Sequence, residues 1–227
     1  GYILVKIYGT NKGITMTGLV GGLASSTAVA VTFSEKSKKY SKKLTNAFTL
    51  IIVLATTTMF LRVLFEVLVI NNKLVSKLII PLGLMAIVGT LFSIYFYRAK
   101  KSSNKHDVDL KSPFTLKPAL KFAVFFTFIL FISKLALLYL GTKGVYLASI
   151  FSGLADVDAI TLSMANLAKN NLISDKVATT AVTLAVLSNT FVKAAIVYLW
   201  GSEDLKKKIT IVVSMIMLAG FVSLIFL

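Results

Sequence analysis

The chain has 227 residues, of which 56% are hydrophobic, and its mean hydropathy is +0.84. This composition excludes an ordinary soluble domain and predicts a polytopic membrane protein, and the lack of cysteine excludes disulfides, thiolate metal sites and cysteine nucleophiles. The formal net charge of +16 lies mostly in short loops between apolar segments, where it indicates membrane orientation and attraction to anionic headgroups rather than nucleic-acid binding.

Apolar segments long enough to cross a bilayer recur along the chain. A short apolar stretch at 1–8 comes first, and a basic stretch at 98–117 separates a membrane half at 1–97 from another at 118–227. We therefore expect an all-α membrane protein with about seven or eight transmembrane helices and a cytoplasmic linker. The predicted spans are 13–34, 44–70, 78–97, 119–140, 144–168, 177–200 and 209–227.

The two halves repeat each other without a gap when Gly22 is aligned with Gly153. In this repeat alignment the letters GLA at 22–24 fall on the same letters at 153–155, and Phe60 falls on Phe191. The constant register predicts two tandem homologous halves related by a pseudo-two-fold axis. The counterpart of the span 119–140 would precede the first residue, so we expect the natural protein to extend upstream.

The direction of the repeat depends on how many segments cross the membrane. Four spans in each half would make the halves parallel, whereas one re-entrant segment in each half would invert them. If every segment crosses, thirteen basic residues lie on the side of the 98–117 linker and seven on the other side. The linker side is therefore predicted to be cytoplasmic, although the cluster of Lys206, Lys207 and Lys208 opposes this orientation.

Asp156 and Asp158 lie near the middle of the predicted span 144–168. A charge at that depth costs roughly 2.5–3.5 kcal/mol unless it is paired, protonated or hydrated. Residues two apart on a regular helix point about 200° apart, so only a break would bring both carboxylates to one site. Candidate breaks are the letters GLADVD at 153–158 and their repeat counterpart GLASST at 22–27.

Carboxylate, hydroxyl and amide oxygens together suit a hard cation such as magnesium, manganese or calcium. Two carboxylates in one half would neutralise one divalent ion. We expect that ion to be transported cargo, with no permanently bound cofactor. The candidate metal ligands are Asp156, Asp158, Thr161, Ser188, Asn189, Ser25, Ser26 and Thr27, with Lys193 as a charge partner.

The structural alternative is ion pairing that only holds helices together. Asp156 or Asp158 would then pair with Lys193 or Lys134, because internal ion pairs are common among charged residues in membranes.

Three other features also have a structural interpretation. Arg62 and Glu66 are spaced i, i+4 and are expected to pair along one helix. Asn189 fits an interhelical hydrogen bond as well as ligation, and the hydroxyl run at 25–27 fits a close helix contact.

Three motifs together resemble one protein family. They are GGLASST at 21–27 followed by a basic loop, SGLADVDAIT at 152–161, and LSNT at 187–190 with Lys193. They resemble the prokaryotic membrane domain of unknown function that commonly follows an MgtC/SapB-type membrane domain in one polypeptide. The resemblance covers nearly the whole chain. It implies an upstream MgtC/SapB-like domain, a connection to magnesium or another divalent metal, and motif positions at Asp156, Asp158, Asn189 and Lys193.

Three classes of function fit these features. The first is a multi-pass divalent-cation permease of the prokaryotic plasma membrane, selective for a magnesium- or manganese-like ion. The second is a non-transporting membrane regulator or partner protein. The third, an intramembrane enzyme acting on a lipid-linked substrate, is disfavoured because an aspartyl protease needs its second aspartate on another helix. We expect the permease and no enzymatic activity. The expected partners are anionic lipid headgroups, the metal ion and, as a candidate, a second copy in a homodimer.

Overall fold

The computed structural model describes residues 2–40, 44–99 and 117–225, except for the side chains of 2–12, 117–130, 132–134, 136 and 137. Within these residues the protein has seven α-helices and no strand, which confirms the all-α prediction. The predicted linker at 98–117 lies almost wholly outside the described residues. The helices are α1 (Tyr2–Lys39), α2 (Thr45–Ile70), α3 (Asn72–Ala99), α4 (Lys117–Ala155), α5 (Asp158–Lys169), α6 (Asp175–Trp200) and α7 (Glu203–Ile225).

Five segments of the described helices are long and apolar enough to cross a membrane, which confirms a membrane protein. Each overlaps a span predicted from the sequence. The remaining two predicted spans, 119–140 and 144–168, correspond to α4 and α5. The five segments are Gly13–Lys39, Thr45–Ile70, Asn72–Ala99, Asp175–Trp200 and Glu203–Ile225.

Helix α4 is kinked at Gly141, where φ is +56° and ψ is −143°. Glycine accepts this conformation because it has no Cβ to clash with the backbone. The kink lies between the predicted spans 119–140 and 144–168, so it separates the first of these spans from the part of the second that lies in α4.

The backbone between α4 and α5 leaves the regular helix for only two residues, Asp156 and Val157. The N–H of Asp156 still donates to the carbonyl of Ser152 at 2.8 Å, and the N–H of Thr161 donates to that of Val157 at 3.0 Å. The N–H of Asp158 instead donates to Oδ1 of Asp156 at 2.8 Å. The carboxylate therefore takes the place of a backbone acceptor at the start of α5.

The candidate break at 22–27 does not occur, because α1 is helical from Tyr2 to Lys39. A hydroxyl can donate to a helix carbonyl, as Thr17 does to Gly13 and Ser34 does to Ala30 in this same helix. An ionised carboxylate has only acceptors and cannot be satisfied in that way. Replacing the aspartates by hydroxyls therefore removes the reason for an interruption.

The described residues form two compact units. The first unit comprises Gly1–Phe60, Met85–Pro113 and Val192–Met217, and the second comprises Leu61–Leu84, Phe114–Phe191 and Leu218–Leu227.

In the first unit, α1 packs closely on the beginning of α2. A Cβ at Gly22 would lie 2.6 Å from Cα of Ala55, and a Cβ at Gly18 would lie 2.8 Å from Cβ of Leu54. Small residues allow this approach, so the close-contact interpretation holds for these two glycines. Phe33 and Phe48 add a ring contact between the same helices, with centroids 5.7 Å apart.

In the second unit, the end of α4 packs on α6 in a similar way. A Cβ at Gly153 would overlap the carbonyl oxygen of Ala185 and lie 2.8 Å from its Cα. Lys77 at the start of α3 forms an ion pair with Asp175 at the start of α6, with 3.2 Å between Nζ and Oδ2. The first contact fixes the end of α4 three residues before Asp156, and the second joins the beginnings of α3 and α6.

Candidate functional site

Asp158, the first residue of α5, is ion-paired with Arg62 of α2. Nη2 of Arg62 lies 2.5 Å from Oδ1 of Asp158, although the residues are 96 positions apart in the chain. Their side chains are 18% and 19% exposed. The pair therefore joins two helices within the second unit through a charge-assisted hydrogen bond that is largely buried.

Glu66 lies one helical turn beyond Arg62 on α2. Its Oε1 is 3.5 Å from Nε of Arg62, which confirms the predicted i, i+4 pair. Glu66 and Asp158 are also close enough to interact electrostatically. Two carboxyl groups therefore converge on one guanidinium.

The second oxygen of Glu66, Oε2, is buried and has no hydrogen-bond partner among the atoms that the structure describes. Buried polar atoms are nearly always satisfied, so this oxygen can accept a further hydrogen bond.

Asp156 occupies the turn between α4 and α5. Besides Oδ1, which accepts from the N–H of Asp158, its carbonyl oxygen lies 3.4 Å from the hydroxyl of Ser152. Asp158 itself is in the first turn of α5, where the helix dipole favours a negative charge. The two aspartates therefore play different parts: Asp156 shapes the turn, and Asp158 engages Arg62.

Hydroxyl groups without hydrogen-bond partners lie close to this turn in sequence. Thr161 and Ser163 of α5 and Ser149 of α4 are each at most 1% exposed, and their hydroxyls have no partner among the described atoms. Thr161 lies one turn after Asp158 on the same helix. Among the candidate ligands, Thr161 is the one whose hydroxyl is buried without a partner among the described atoms.

Ser188 and Asn189 hold the end of α4 in place. The hydroxyl of Ser188 donates to the carbonyl of Ile150 at 2.8 Å, and Nδ2 of Asn189 donates to that of Gly153 at 3.0 Å. Of the two roles left open for Asn189, the interhelical hydrogen bond is therefore present. Both side chains fix the last turn of the helix before Asp156.

The remaining candidates, Lys193 and the hydroxyl run at 25–27, belong to the first unit. Lys193 is 1% exposed, and its Nζ lies 3.0 Å from Sδ of Met59. Ser25 accepts a hydrogen bond from the N–H of Ala28 at 3.2 Å within α1. The structure gives Asp158 a basic partner, Arg62, that the sequence did not predict. The side chain of Lys134 lies outside the described residues.

Sequence reasoning missed the contact between Arg62 and Asp158. It therefore also missed that Glu66, the i, i+4 partner of Arg62, belongs to the candidate site. The repeat predicted from the sequence contained the missing signal. Lys193 was recognised as a charge partner, and the repeat alignment places Arg62 at the same position of the first half.

No group of three or more histidine, cysteine, aspartate or glutamate side chains is arranged to hold a metal in the described part of the chain. The oxygen ligands at hand are the two carboxyl groups on Arg62 and the neutral hydroxyls of α5. They suit a hard cation better than a soft one.

Long apolar helices with a charged cluster among them define a polytopic helical membrane protein. The chain belongs to the family described as Domain of unknown function (DUF4010), which matches residues 1–201. An uncharacterized protein of Aquifex aeolicus (strain VF5) is 34% identical over 206 residues, covering 89% of this chain and 88% of the relative. No solved structure matches the chain.

Proposed function

We propose that the chain is a cation-transport protein of the prokaryotic plasma membrane. Its cargo would be a hard divalent cation such as Mg²⁺ or Mn²⁺, bound by Asp158 with help from Asp156 and Thr161, next to Arg62 and Glu66. The observation that carries the proposal is the convergence of Asp158 and Glu66 on the guanidinium of Arg62, with Oε2 of Glu66 left without a donor.

The balance of charge favours a cation. A purely structural pair needs one acid and one base, and each charge inside a bilayer costs roughly 2.5–3.5 kcal/mol. Here Asp158 and Glu66 share one base, and one carboxyl oxygen has no donor. A divalent cation on Asp158 would free the guanidinium to satisfy that oxygen, and carboxylate oxygens are the ligands that such ions prefer.

The turn at Asp156 and Val157 fits a transport site. We infer that α4 after Gly141 and α5 together form one discontinuous transmembrane segment, whose interruption carries the aspartates. Discontinuous helices supply both side chains and freed backbone oxygens to ions in transporters. Ser188 and Asn189 would hold the α4 side of the interruption rigid.

The two units support the proposed repeat. In the repeat alignment Phe60 falls on Phe191, and each residue ends a segment of its unit. Leu84, which ends another segment, falls on Met215, two residues before the corresponding boundary at Met217. Each unit would therefore combine segments from both halves of the chain.

Two lysines at equivalent repeat positions make equivalent contacts. Lys77 contacts Asp175 in the second unit, and its counterpart in the repeat alignment, Lys208, contacts Oδ1 of Asn46 in the first. Each partner lies in the first turn of its long helix, α6 or α2. This equivalence is what two homologous halves would produce.

A non-transporting membrane partner protein is the second candidate. The observation in its favour is that Arg62 already forms an ion pair with Asp158 at 2.5 Å, while the carboxylate of Asp156 accepts a hydrogen bond from a backbone N–H. In that case the network would only fix α2 against α5. An upstream MgtC/SapB-like domain and a homodimer remain compatible with both candidates.

Uptake of Mn²⁺ and Mg²⁺ into proteoliposomes that contain the full-length protein tests the proposal. We expect saturable uptake that Asp158→Asn abolishes and Lys77→Gln leaves intact. Lys77→Gln is the matched control because it breaks an ion pair of the same unit whose lysine is 49% exposed. If no ion is taken up, or if Asp158→Asn is folded and transports normally, the permease proposal is wrong and the partner protein is favoured.

A further inference from the structure

We propose that Arg62 is the resident counter-ion of this site, and that Glu66 is the residue that receives Arg62 when a cation takes its place on Asp158. This inference rests on the proposed cation site and assigns Glu66 a positioning role within it. The guanidinium of Arg62 would then compete with the cation for the carboxylate of Asp158.

The geometry gives Arg62 two alternative partners. Asp158 lies on a separate helix, with 2.5 Å between Nη2 and Oδ1, whereas Glu66 is fixed one turn away on the helix of Arg62, with 3.5 Å between Nε and Oε1. Rotation about the arginine side-chain torsions can exchange these partners without a change in the backbone. The guanidinium would keep a carboxylate in either position, so its charge is never left alone in the membrane.

The donor-less oxygen of Glu66 fits the receiving role. The contact between Nε of Arg62 and Oε1 of Glu66, at 3.5 Å, is too long for a strong hydrogen bond, and Oε2 of Glu66 is buried with no donor among the described atoms. A guanidinium that faced Glu66 fully would present two parallel N–H groups to both oxygens. The structure therefore shows Glu66 as an acceptor that is only partly used while Arg62 remains on Asp158.

The internal repeat indicates which residues act together. In the repeat alignment the three acidic residues of the site fall on neutral residues, whereas the basic residue falls on another basic residue. Asp156 corresponds to Ser25, Asp158 to Thr27, Glu66 to Val197 and Arg62 to Lys193.

If Glu66 served only to neutralise the base, an acid would be expected beside Lys193 as well. Position 197, one turn beyond Lys193 on α6, is a valine that is 1% exposed. The second unit therefore holds Glu66 together with both aspartates, whereas the first unit holds the neutral residues Val197, Ser25 and Thr27 at the corresponding positions. We infer that Glu66 acts together with the aspartates and does not serve only to neutralise Arg62.

The inference is tested by measuring Mn²⁺ binding to the purified full-length protein with equilibrium dialysis. Removing the competitor in Arg62→Gln should lower the Kd for Mn²⁺ roughly five- to tenfold, since coupling between neighbouring groups commonly has this size. Removing the receiver in Glu66→Gln should raise the Kd by a similar factor, because Arg62 then stays on Asp158. Lys77→Gln should leave the Kd unchanged.

The double variant separates the receiving role from direct ligation. If Glu66 acts through Arg62, adding Glu66→Gln to Arg62→Gln should change the Kd less than about twofold. If Glu66 ligates the ion itself, the Kd should rise in that background as strongly as in the wild type, and the inference would be overturned. Glu66→Asp keeps the charge but shortens the side chain, so an increase in Kd with this variant excludes a purely long-range electrostatic effect.

Arg62→Lys is the second background if Arg62→Gln does not fold, because lysine already stands at the equivalent repeat position, 193. A lysine cannot make the two-pronged contact, so Glu66→Asp should lose most of its effect there. An undiminished effect of Glu66→Asp would contradict the exchange.

Binding and flux distinguish this inference from the proposed function. Binding with the expected pattern but no uptake would support the exchange and reject the permease. Uptake with no change in Kd for Arg62→Gln would reject the exchange and keep the permease. No binding to the wild-type protein would overturn both.

Discussion

Gly153 lies directly against the backbone of Ala185, where a Cβ at position 153 would overlap the carbonyl oxygen and lie 2.8 Å from Cα. This contact lets the end of α4 approach α6 closely enough for Asn189 to reach the carbonyl of Gly153. It lies three residues before Asp156. The position of the turn at Asp156 and Val157 (the acidic turn) thus depends on Gly153, which has no side chain.

The substitution Gly153→Ala should destabilise the protein by about 1–3 kcal/mol, because backbone atoms cannot move aside as a flexible side chain can. Thermal unfolding of the purified protein in detergent measures this loss.

Gly83 of α3 provides the matched control. A Cβ at Gly83 would meet nothing within 4 Å. Gly83→Ala should therefore leave the stability unchanged or raise it by up to about 1 kcal/mol, since alanine favours a helix. Equal effects of the two substitutions would contradict the close packing of α4 on α6.

The substitution Asn189→Ala should lower the unfolding free energy by about 0.5–2 kcal/mol, the range found for interhelical hydrogen bonds in membranes. It removes the donor at 3.0 Å from the carbonyl of Gly153. If the bond also orients the acidic turn, the Kd for Mn²⁺ should rise as well. Thr183→Ala is the control, because that hydroxyl donates to the carbonyl of Thr179 within its own helix, α6.

Arg62→Gln and Asp158→Asn should each destabilise the protein, because each leaves a largely buried charge without its closest partner. The double variant should recover part of the loss, with a coupling energy of about 1–3 kcal/mol. Denaturant unfolding of the four proteins gives this coupling directly. Strictly additive effects would show that the contact contributes nothing to the fold.

Lys193 and Lys77 should differ sharply in their reactivity towards an amine-directed reagent. Lys193 is 1% exposed, whereas the side chain of Lys77 is 49% exposed. Mass spectrometry of the labelled protein should find modification at Lys77 and little at Lys193 until the protein is unfolded. Rapid labelling of Lys193 in the folded protein would contradict its burial.

The transmembrane helices were predictable because their apolar runs are bounded by polar residues. The span predicted at 44–70 is observed as Thr45–Ile70, and that predicted at 177–200 as Asp175–Trp200. Hydropathy measures the property that selects these segments for the membrane, so it locates their apolar parts. It does not locate polar first turns: α3 and α7 begin at Asn72 and Glu203, six residues before the spans predicted at 78 and 209.

The candidate site was only partly predictable. The aspartates stood out because charges are rare inside membrane spans, and the Arg62–Glu66 pair followed from helix periodicity. The contact between Arg62 and Asp158 joins residues 96 positions apart and arises from tertiary packing, which local rules do not describe. The helix break expected at 22–27 is absent because hydroxyls, unlike ionised carboxylates, can donate hydrogen bonds to backbone carbonyls within a helix.

The most direct test of the account is an experimental structure of the full-length protein with Mn²⁺, located by its anomalous scattering. The account predicts one ion at about 2.0–2.3 Å from a carboxylate oxygen of Asp158, the range for hard cations, with Arg62 turned to Glu66. Arg62 still on Asp158, with no ion near the turn at a saturating Mn²⁺ concentration, would contradict the cation site.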